Sequence, residues 1–386
     1  MKIHKGQVLE NTVLEDSVVA EAEWLAQSLY KGTSNNRTKF EDFLNLPTSK
    51  YEVTTPADVK HVVVIGIGGS SLSPKAVYDA LFGYVDKVQP ERFPKLHFLE
   101  NVDIGYIDAL MAILLKSASP DYHELAFVVI CKSGKTFETL KNLEYLTSEK
   151  FKGVVKGENT YVISVEGNHT WEWGKSLGAK LFPMSQVISG RFQIFSAITA
   201  VPLELVDVDF KKFIEGAKTS LSDTKTSEGL ALTRWQFYKN GIDTDVYFAF
   251  DERLRSLAEW YASITAESLG KKSGGITPIV SIGSRDLHSI GQLYLQGSRN
   301  KFTTFLSLSN TDPNNLFILE AVKKAYDDAK LPYMHITLDA GSPDILTNEL
   351  GEFMQSKIIE TVLLGGLVGV NPYDQPGVEL YKKYLG

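Results

Sequence analysis

The chain has 386 residues, 43% hydrophobic and 23% charged. This is ordinary globular usage with room for two or three domain cores, and it excludes a disulfide-stapled miniprotein, a collagen-like or coiled-coil rod and wholesale disorder. Lys plus Arg total 40 against 47 Asp plus Glu, a formal charge of -7 with no basic run able to track a phosphate backbone, so nucleic acid is not expected as a partner.

The first 32 residues carry acids throughout and lack the continuous apolar core of a signal peptide, so no targeting segment is expected there. Within them, Val18, Ala22, Leu25 and Leu29 recur at helical spacing, predicting a helix from Asp16 to Tyr30 with Gly32 as its stop, inside an N-terminal helical segment 1–40. Then apolar runs alternate with amphipathic ones. His61 to Ile65, Lys95 to Leu99, Leu125 to Ile130 and Thr160 to Val165 read as strands separated by helices, the mark of βαβ crossovers and a buried parallel sheet over 41–205. A proline- and acid-bearing stretch between Ala200 and Phe210 interrupts the rhythm and marks a domain boundary. Strands at Asp245 to Phe250, Pro278 to Ile282, Phe302 to Leu308 and Tyr333 to Leu338 follow within 206–386, with a helix from about Leu346 to Leu364 and a last one opening at Pro376. The fold class is therefore α/β, with two similar halves and a C-terminal helical tail. Val62 to Ile67 and Val362 to Val370, the longest apolar stretches, are too short for the roughly 20 residues of a bilayer span, so no membrane partner is expected. The single cysteine, Cys131, cannot form an intrachain disulfide, and no Cys/His zinc spacing occurs, which points to a reducing, cytoplasmic setting without a structural metal.

Several motifs lie where strands give way to helices. Gly66-Ile67-Gly68-Gly69-Ser70-Ser71 follows the first strand, and Ser73 is expected to cap the next helix with Pro74 at its first position. Glycines admit an anion to backbone N–H groups, but Ser71 stands where a dinucleotide fingerprint needs glycine, and a plain structural turn reads equally well from this motif alone. Cys131-Lys132-Ser133-Gly134-Lys135-Thr136 ends like a nucleotide P-loop, yet Val129 occupies the position of its leading glycine. What remains is a hydroxyl-rich, cationic turn suited to a small phosphomonoester or, on the bland reading, a capped helix. Further along stand Gly190-Arg191-Phe192, Glu267 in Glu-Ser-Leu-Gly-Lys near a helix C-terminus, His288 after a strand, and a tail Asn-Pro-Tyr-Asp-Gln-Pro-Gly-Val-Glu-Leu-Tyr-Lys containing Gln375 and Lys382. Glu267 is electrostatically misplaced at a helix end, which hints at function; singly, Arg191, His288 and Lys382 read equally well as surface pairing, capping and dipole complement.

In this order, and over residues from about 60 to the C-terminus, the motifs together resemble the glucose-6-phosphate isomerase family. The resemblance implies two flavodoxin-like doubly wound sugar isomerase domains, no metal or other cofactor, and a homodimer with active sites shared between subunits. It implies reversible aldose–ketose isomerisation of glucose 6-phosphate and fructose 6-phosphate, a small-molecule sugar phosphate being the partner. Glu267 resembles the base that moves a proton between C2 and C1, and Arg191 the cation beside the enediolate. His288 and Lys382 resemble the ring-opening pair, and Gln375 a holder of sugar hydroxyls. Gly69, Ser70, Lys132, Ser133 and Thr136 match phosphate-binding positions, with Gly134 shaping the turn. The chain departs from the usual pattern at Cys131 (serine), Leu269 (asparagine), Tyr381 (glycine) and Ser284-Arg285-Asp286-Leu287. Two other readings are a dual-specificity phosphoglucose/phosphomannose isomerase and a non-catalytic sugar-phosphate-binding protein. Retention of an acid–base set, which binding alone does not require, favours the enzyme.

Overall fold

The computed structural model describes residues 1–10, 51, 53, 58–272 and 274–385. The helix expected from Asp16 to Tyr30 lies outside the described residues. In chain order the elements are β1 (Lys2–Lys5), β2 (His61–Ile65), α1 (Leu72–Phe82), β3 (Lys95–Leu99), α2 (Ile104–Ser117), β4 (Leu125–Cys131), α3 (Phe137–Leu146), β5 (Thr160–Ser164), α4 (His169–Leu177), β6 (Lys180–Pro183), α5 (Ala197–Glu204), α6 (Phe210–Ser222), α7 (Lys225–Lys239), β7 (Thr244–Ala249), α8 (Arg255–Leu269), β8 (Thr277–Ile282), α9 (Gly291–Gln296), β9 (Lys301–Leu308), α10 (Pro313–Asp328), β10 (Tyr333–Leu338), α11 (Pro343–Val368) and α12 (Pro376–Lys382), with short helical turns between some of them.

The strands form two sheets. The first runs β3-β2-β4-β5-β6, parallel throughout, which is the flavodoxin order; the second runs β8-β7-β9-β10 in the same parallel sequence and adds β1 antiparallel at the edge. Two strands escape sequence reading. Lys2–Lys5 falls within the segment expected to be helical, but pairs Ile3 with Ile336, so the start of the chain completes the second sheet. Lys180–Pro183 is only partly buried at the edge of the first sheet, and its Lys-Leu-Phe-Pro sequence has no continuous apolar run.

The inner strands are buried on both faces, which is why they read as unbroken Val, Ile and Leu. Val62 and Val64 of β2 and Ala126, Val128 and Ile130 of β4 face a core shared with Tyr247 and Ala249 of β7 and with α1, α5, α6, α8 and α11. Their alternates, Val63, Ile65, Phe127 and Val129, face a second core under α2 and α3. The halves are thus joined through a helical layer between the sheets. One bond across it runs from Ser256 of α8 to Asp79 of α1 at 2.5 Å.

Candidate functional site

The flavodoxin order has a crevice at its switch point, beyond the carboxyl ends of β2 and β4, and both candidate phosphate loops lie there. After β2, Gly68–Ser70 makes one 3-10 turn that runs straight into α1. Because the helix begins at Leu72, Ser73 does not cap it as expected: Ser73 is buried inside α1 and bonds Thr199 at 2.8 Å. Ser71 occupies the cap position, but its hydroxyl goes to Glu100 at 2.7 Å, and the other oxygen of Glu100 holds Lys75 at 2.5 Å. Gly69 has a tertiary reason to be glycine: a Cβ there would stand 2.6 Å from the backbone nitrogen of Arg191.

After β4, Lys132 donates to the carbonyl of Ile188, Ser133 accepts the Lys135 N–H at 3.1 Å, and the Ser133 and Thr136 hydroxyls lie 3.2 Å apart. Thr136 stands at the N-cap of α3 without making a capping bond from its side chain. Gly134 has φ +69° and its missing Cβ leaves room for Asn168. Asn168 is a residue the sequence reading missed: its amide donates to the Lys132 carbonyl at 3.0 Å while its oxygen caps α4 at Trp171 N, 3.0 Å. The Cys131 side chain is buried in β4, so this departure from serine lies within the sheet.

Arg191 is the hub. It sits in the turn Gly190–Phe192 and is 3% exposed. Its Nε donates to Ser268 Oγ at 3.0 Å, one terminal nitrogen to Glu267 Oε2 at 3.2 Å and also to Gln375 Oε1, and the other to the carbonyls of Pro372 at 2.6 Å and Asp374 at 2.9 Å. These five bonds match the five donors of a guanidinium. Burial pulls the Arg191 pKa down and Glu267 opposes that pull. The residue therefore ties the end of α8 to the tail turn before α12. Lys271 makes a second tie, donating to the Ser268 carbonyl at 3.0 Å and to the Asn371 carbonyl, and pairing with Asp374 at 3.1 Å. Ser268, Lys271 and Asp374 were not singled out from sequence, although all three stand inside quoted motifs.

Glu267 lies on the last turn of α8 with its side chain 32% exposed, one oxygen on Arg191 and the other on Ser263 Oγ at 3.3 Å. A carboxylate held by a buried cation, yet still open to solvent, suits proton abstraction next to developing negative charge. Beside it a cavity of about 370 Å³ is lined by Lys132, Val187, Ser189, Gly190, Tyr373, Asp374, Gln375, Pro376 and Glu379. The fold brings the candidate phosphate loops, Arg191, Glu267 and Gln375 to one place. It leaves His288 and Lys382 at the surface of this chain. His288 is exposed at the end of the turn Arg285–His288 and is not among the residues lining the cavity. Lys382 ends α12, exposed and paired with Glu379 at 2.8 Å. Tyr381 is exposed, whereas Leu269 is buried against α7 and α11. Away from this cavity, Asp121, His123 and Glu124 bring ligand atoms within 4.8 Å of one another, a cluster already bridged by the Ser119 hydroxyl.

Residues 31–292 match the family described as phosphoglucose isomerase. The chain belongs to the phosphoglucose isomerase family. A glucose-6-phosphate isomerase of Campylobacter jejuni is 31% identical over 359 residues, covering 85% of this chain and 84% of the relative. One from Methanocaldococcus jannaschii is 29% identical, covering 84% of this chain and 83% of the relative. Among solved structures, a hypothetical protein from Thermus thermophilus superposes with TM-score 0.80 at 23% identity, covering 100% of this chain and 99% of that one. A glucose-6-phosphate isomerase from Chlamydia trachomatis superposes at 0.70 with 21% identity, covering 97% of this chain and 75% of that one. At such identities these two likenesses speak for the fold, which is the α/β double sheet expected from sequence. Among the described residues no helix is long and apolar enough to cross a membrane.

Proposed function

We propose that this member of the phosphoglucose isomerase family interconverts glucose 6-phosphate and fructose 6-phosphate in the cavity beside Arg191. The observation that carries the assignment of the site is the contact of the buried Arg191 with Glu267 at 3.2 Å, next to two donor-rich loops at the switch point of the first sheet. The substrate's phosphate rests on Gly69, Ser70, Lys132, Ser133 and Thr136. Their backbone and hydroxyl donors, with the N-terminus of α3, suit a dianion. Glu267 removes the proton at C2 and returns it to C1. The negative charge that develops on the enediolate oxygens is met by the Arg191 guanidinium, whose burial keeps water from screening it. Gln375, already bonded to Arg191, orients sugar hydroxyls. No metal or nicotinamide is needed, because the proton leaves a carbon next to a carbonyl and is returned to its neighbour.

Ring opening by Lys382, whose partner Glu379 lines the cavity, and by His288 takes its His288 from a second copy of the chain. His288 is exposed and does not line the cavity of its own chain, which favours a homodimer whose sites are shared. The place of action is the cytoplasm, consistent with a lone buried Cys131.

A coupled assay with fructose 6-phosphate tests the activity, which should survive exhaustive chelation; recovery only on adding a divalent metal would overturn the metal-free reading. Mixing inactive Glu267→Gln and inactive His288→Ala chains tests the shared site. Random pairing makes half the dimers mixed with half their sites whole, so about a quarter of wild-type activity should return. A mixture as inactive as its parents, with mixed dimers confirmed by mass, rules out sharing.

A further inference from the structure

Behind the site, on the opposite flank of α8, lies a group of charges with no part in the chemistry described above. Arg234 of α7, Asp245 of β7 and Lys357 and Glu360 of α11 have side chains 0–6% exposed. Arg234 pairs with Asp245 and, at 2.5 Å, with Glu360, while Glu360 also takes Lys357 at 2.6 Å; the remaining terminal nitrogen of Arg234 donates to Thr304 at 2.8 Å. Two cations and two anions thus neutralise one another inside the core. Such a group is a weak source of stability, because well-packed apolar residues in its place are often as stable or more so. Its best-attested use is to hold a register, and here it has contacts through which to do so.

Those contacts fall on one face of the helix that carries Glu267. Tyr261 OH donates to Glu360 Oε1 at 3.1 Å, and Thr265 Oγ1 lies 2.8 Å from the hydroxyl of Tyr247, which itself donates to Asp245 at 3.2 Å. The Tyr247 and Tyr261 rings stack with centroids 4.1 Å apart. One turn further on, Ser268 accepts from Arg191 at 3.0 Å. Positions 261, 265 and 268 are spaced as i, i+4 and i+7, a single stripe, so the three polar contacts fix both the rotation of α8 and its slide along its axis. Glu267 is the residue next to Ser268, about 100° around the helix, and a slip of one residue would carry its carboxylate away from Arg191.

We propose that this buried cluster positions Glu267, acting through Tyr261 and Thr265, which are positioning residues for the isomerisation. The inference rests on the reading of Glu267 as the base. Misplacing a reacting group by about 1 Å can cost up to roughly 10²-fold in rate, so loss of one tie should be visible in turnover.

Thr265→Val and Tyr247→Phe remove the Thr265–Tyr247 hydrogen bond from either side with little change in volume, and Tyr247→Phe also removes the bond to Asp245. In the full-length enzyme each should lower kcat about tenfold while KM for fructose 6-phosphate stays within about twofold. The double variant should lose no more than Tyr247→Phe alone, because the bond that Thr265→Val cuts is already lost there. Thr265→Ser, which keeps the hydroxyl, should recover most of the turnover. As a control, Ser227→Ala breaks a buried 2.9 Å bond to Ser356 between α7 and α11, away from α8, and should leave kcat unchanged. Two results overturn the proposal: kcat within about twofold of wild type in the folded Thr265→Val and Tyr247→Phe enzymes, or an equal loss in Ser227→Ala. If Thr265→Val does not fold, Tyr247→Phe decides alone. Glu267→Gln assayed alongside separates the two layers: near-normal turnover in that variant removes the base reading itself, whereas an inactive Glu267→Gln with a normal Thr265→Val removes only the positioning role.

Discussion

The two halves share one topology, and the crevices beyond their strands are lined in opposite ways. In the first sheet the loops after β2 and β4 present glycines, hydroxyls and Lys132 at the switch point. In the second, the matching loops after β7 and β9 are closed by an acid: Asp251 takes Arg253 at 2.8 Å and the Thr311 hydroxyl at 2.9 Å, and Arg253 also bonds Asn310 at 2.8 Å. A carboxylate there repels phosphate, and the cation beside it, Arg253, is turned onto Asp251 and Asn310. The second half instead contributes from the end of α8, where Glu267 meets an arginine from the first half. Duplicated architecture therefore need not mean duplicated sites. On this reading one half holds the phosphate and the other moves the proton.

The division of labour predicts which kinetic constant each half controls. Glu267→Gln should lower kcat by at least roughly 10²-fold while substrate still binds, measured as turnover beside a direct binding titration. Near-normal turnover would break the comparison at its catalytic side. Thr136→Ala, in the first half, should raise KM roughly tenfold with a smaller effect on kcat, since a hydrogen bond to phosphate is made equally in ground and transition states. Inorganic phosphate should compete with substrate in the same assay. A kcat loss at constant KM would place Thr136 on the wrong side of the division.

Acid should find the first half before the second. At the edge of the first sheet His61 and His97 bond each other at 3.1 Å, and His61 reaches Ser117 at 3.2 Å. Burial, helped by Lys95 and Lys60 against Glu124, pushes His61 down to about 4, and burial together with His61, Lys87 and Lys95 pushes His97 down to about 3, with Asp86 opposing. The folded protein thus keeps both rings neutral where the unfolded chain, with values near 6.5, binds protons. Stability from this pair is complete above about pH 6.5 and falls as pH drops towards 4 and then 3. The urea midpoint should decline over that range, and His97→Phe should flatten the slope; an unchanged slope would dismiss the pair as the cause. His335 in the second sheet, pushed by burial to about 4 and bonded to Ser307 at 2.8 Å, adds only one such group.

The smallest effect concerns the closed crevice. Arg253→Ala should leave KM and kcat unchanged and lower Tm by roughly 2–4 °C, the scale of about 1 kcal/mol in a domain of this size. A severalfold rise in KM would mean that the second crevice takes part in binding after all.

The α/β class and eight of the ten strands among the described residues were legible because parallel strands buried on both faces leave runs such as His61 to Ile65 and Tyr333 to Leu338 in the sequence. The loop motifs and Glu267 were legible because glycines, hydroxyls and a misplaced helix-end acid break local rules. What sequence could not determine is everything that depends on residues far apart in the chain. β1 is four residues, Lys-Ile-His-Lys, with a single apolar position, and it becomes a strand only through its pairing with β10. Asn168 supports the turn at Gly134, Arg191 clamps a tail 181–184 residues away, and Arg253 seals the second crevice through Asn310. Local propensity carries no trace of such contacts, since a hydrogen bond depends on a distance of about 3 Å that only the packed sheets and helices impose.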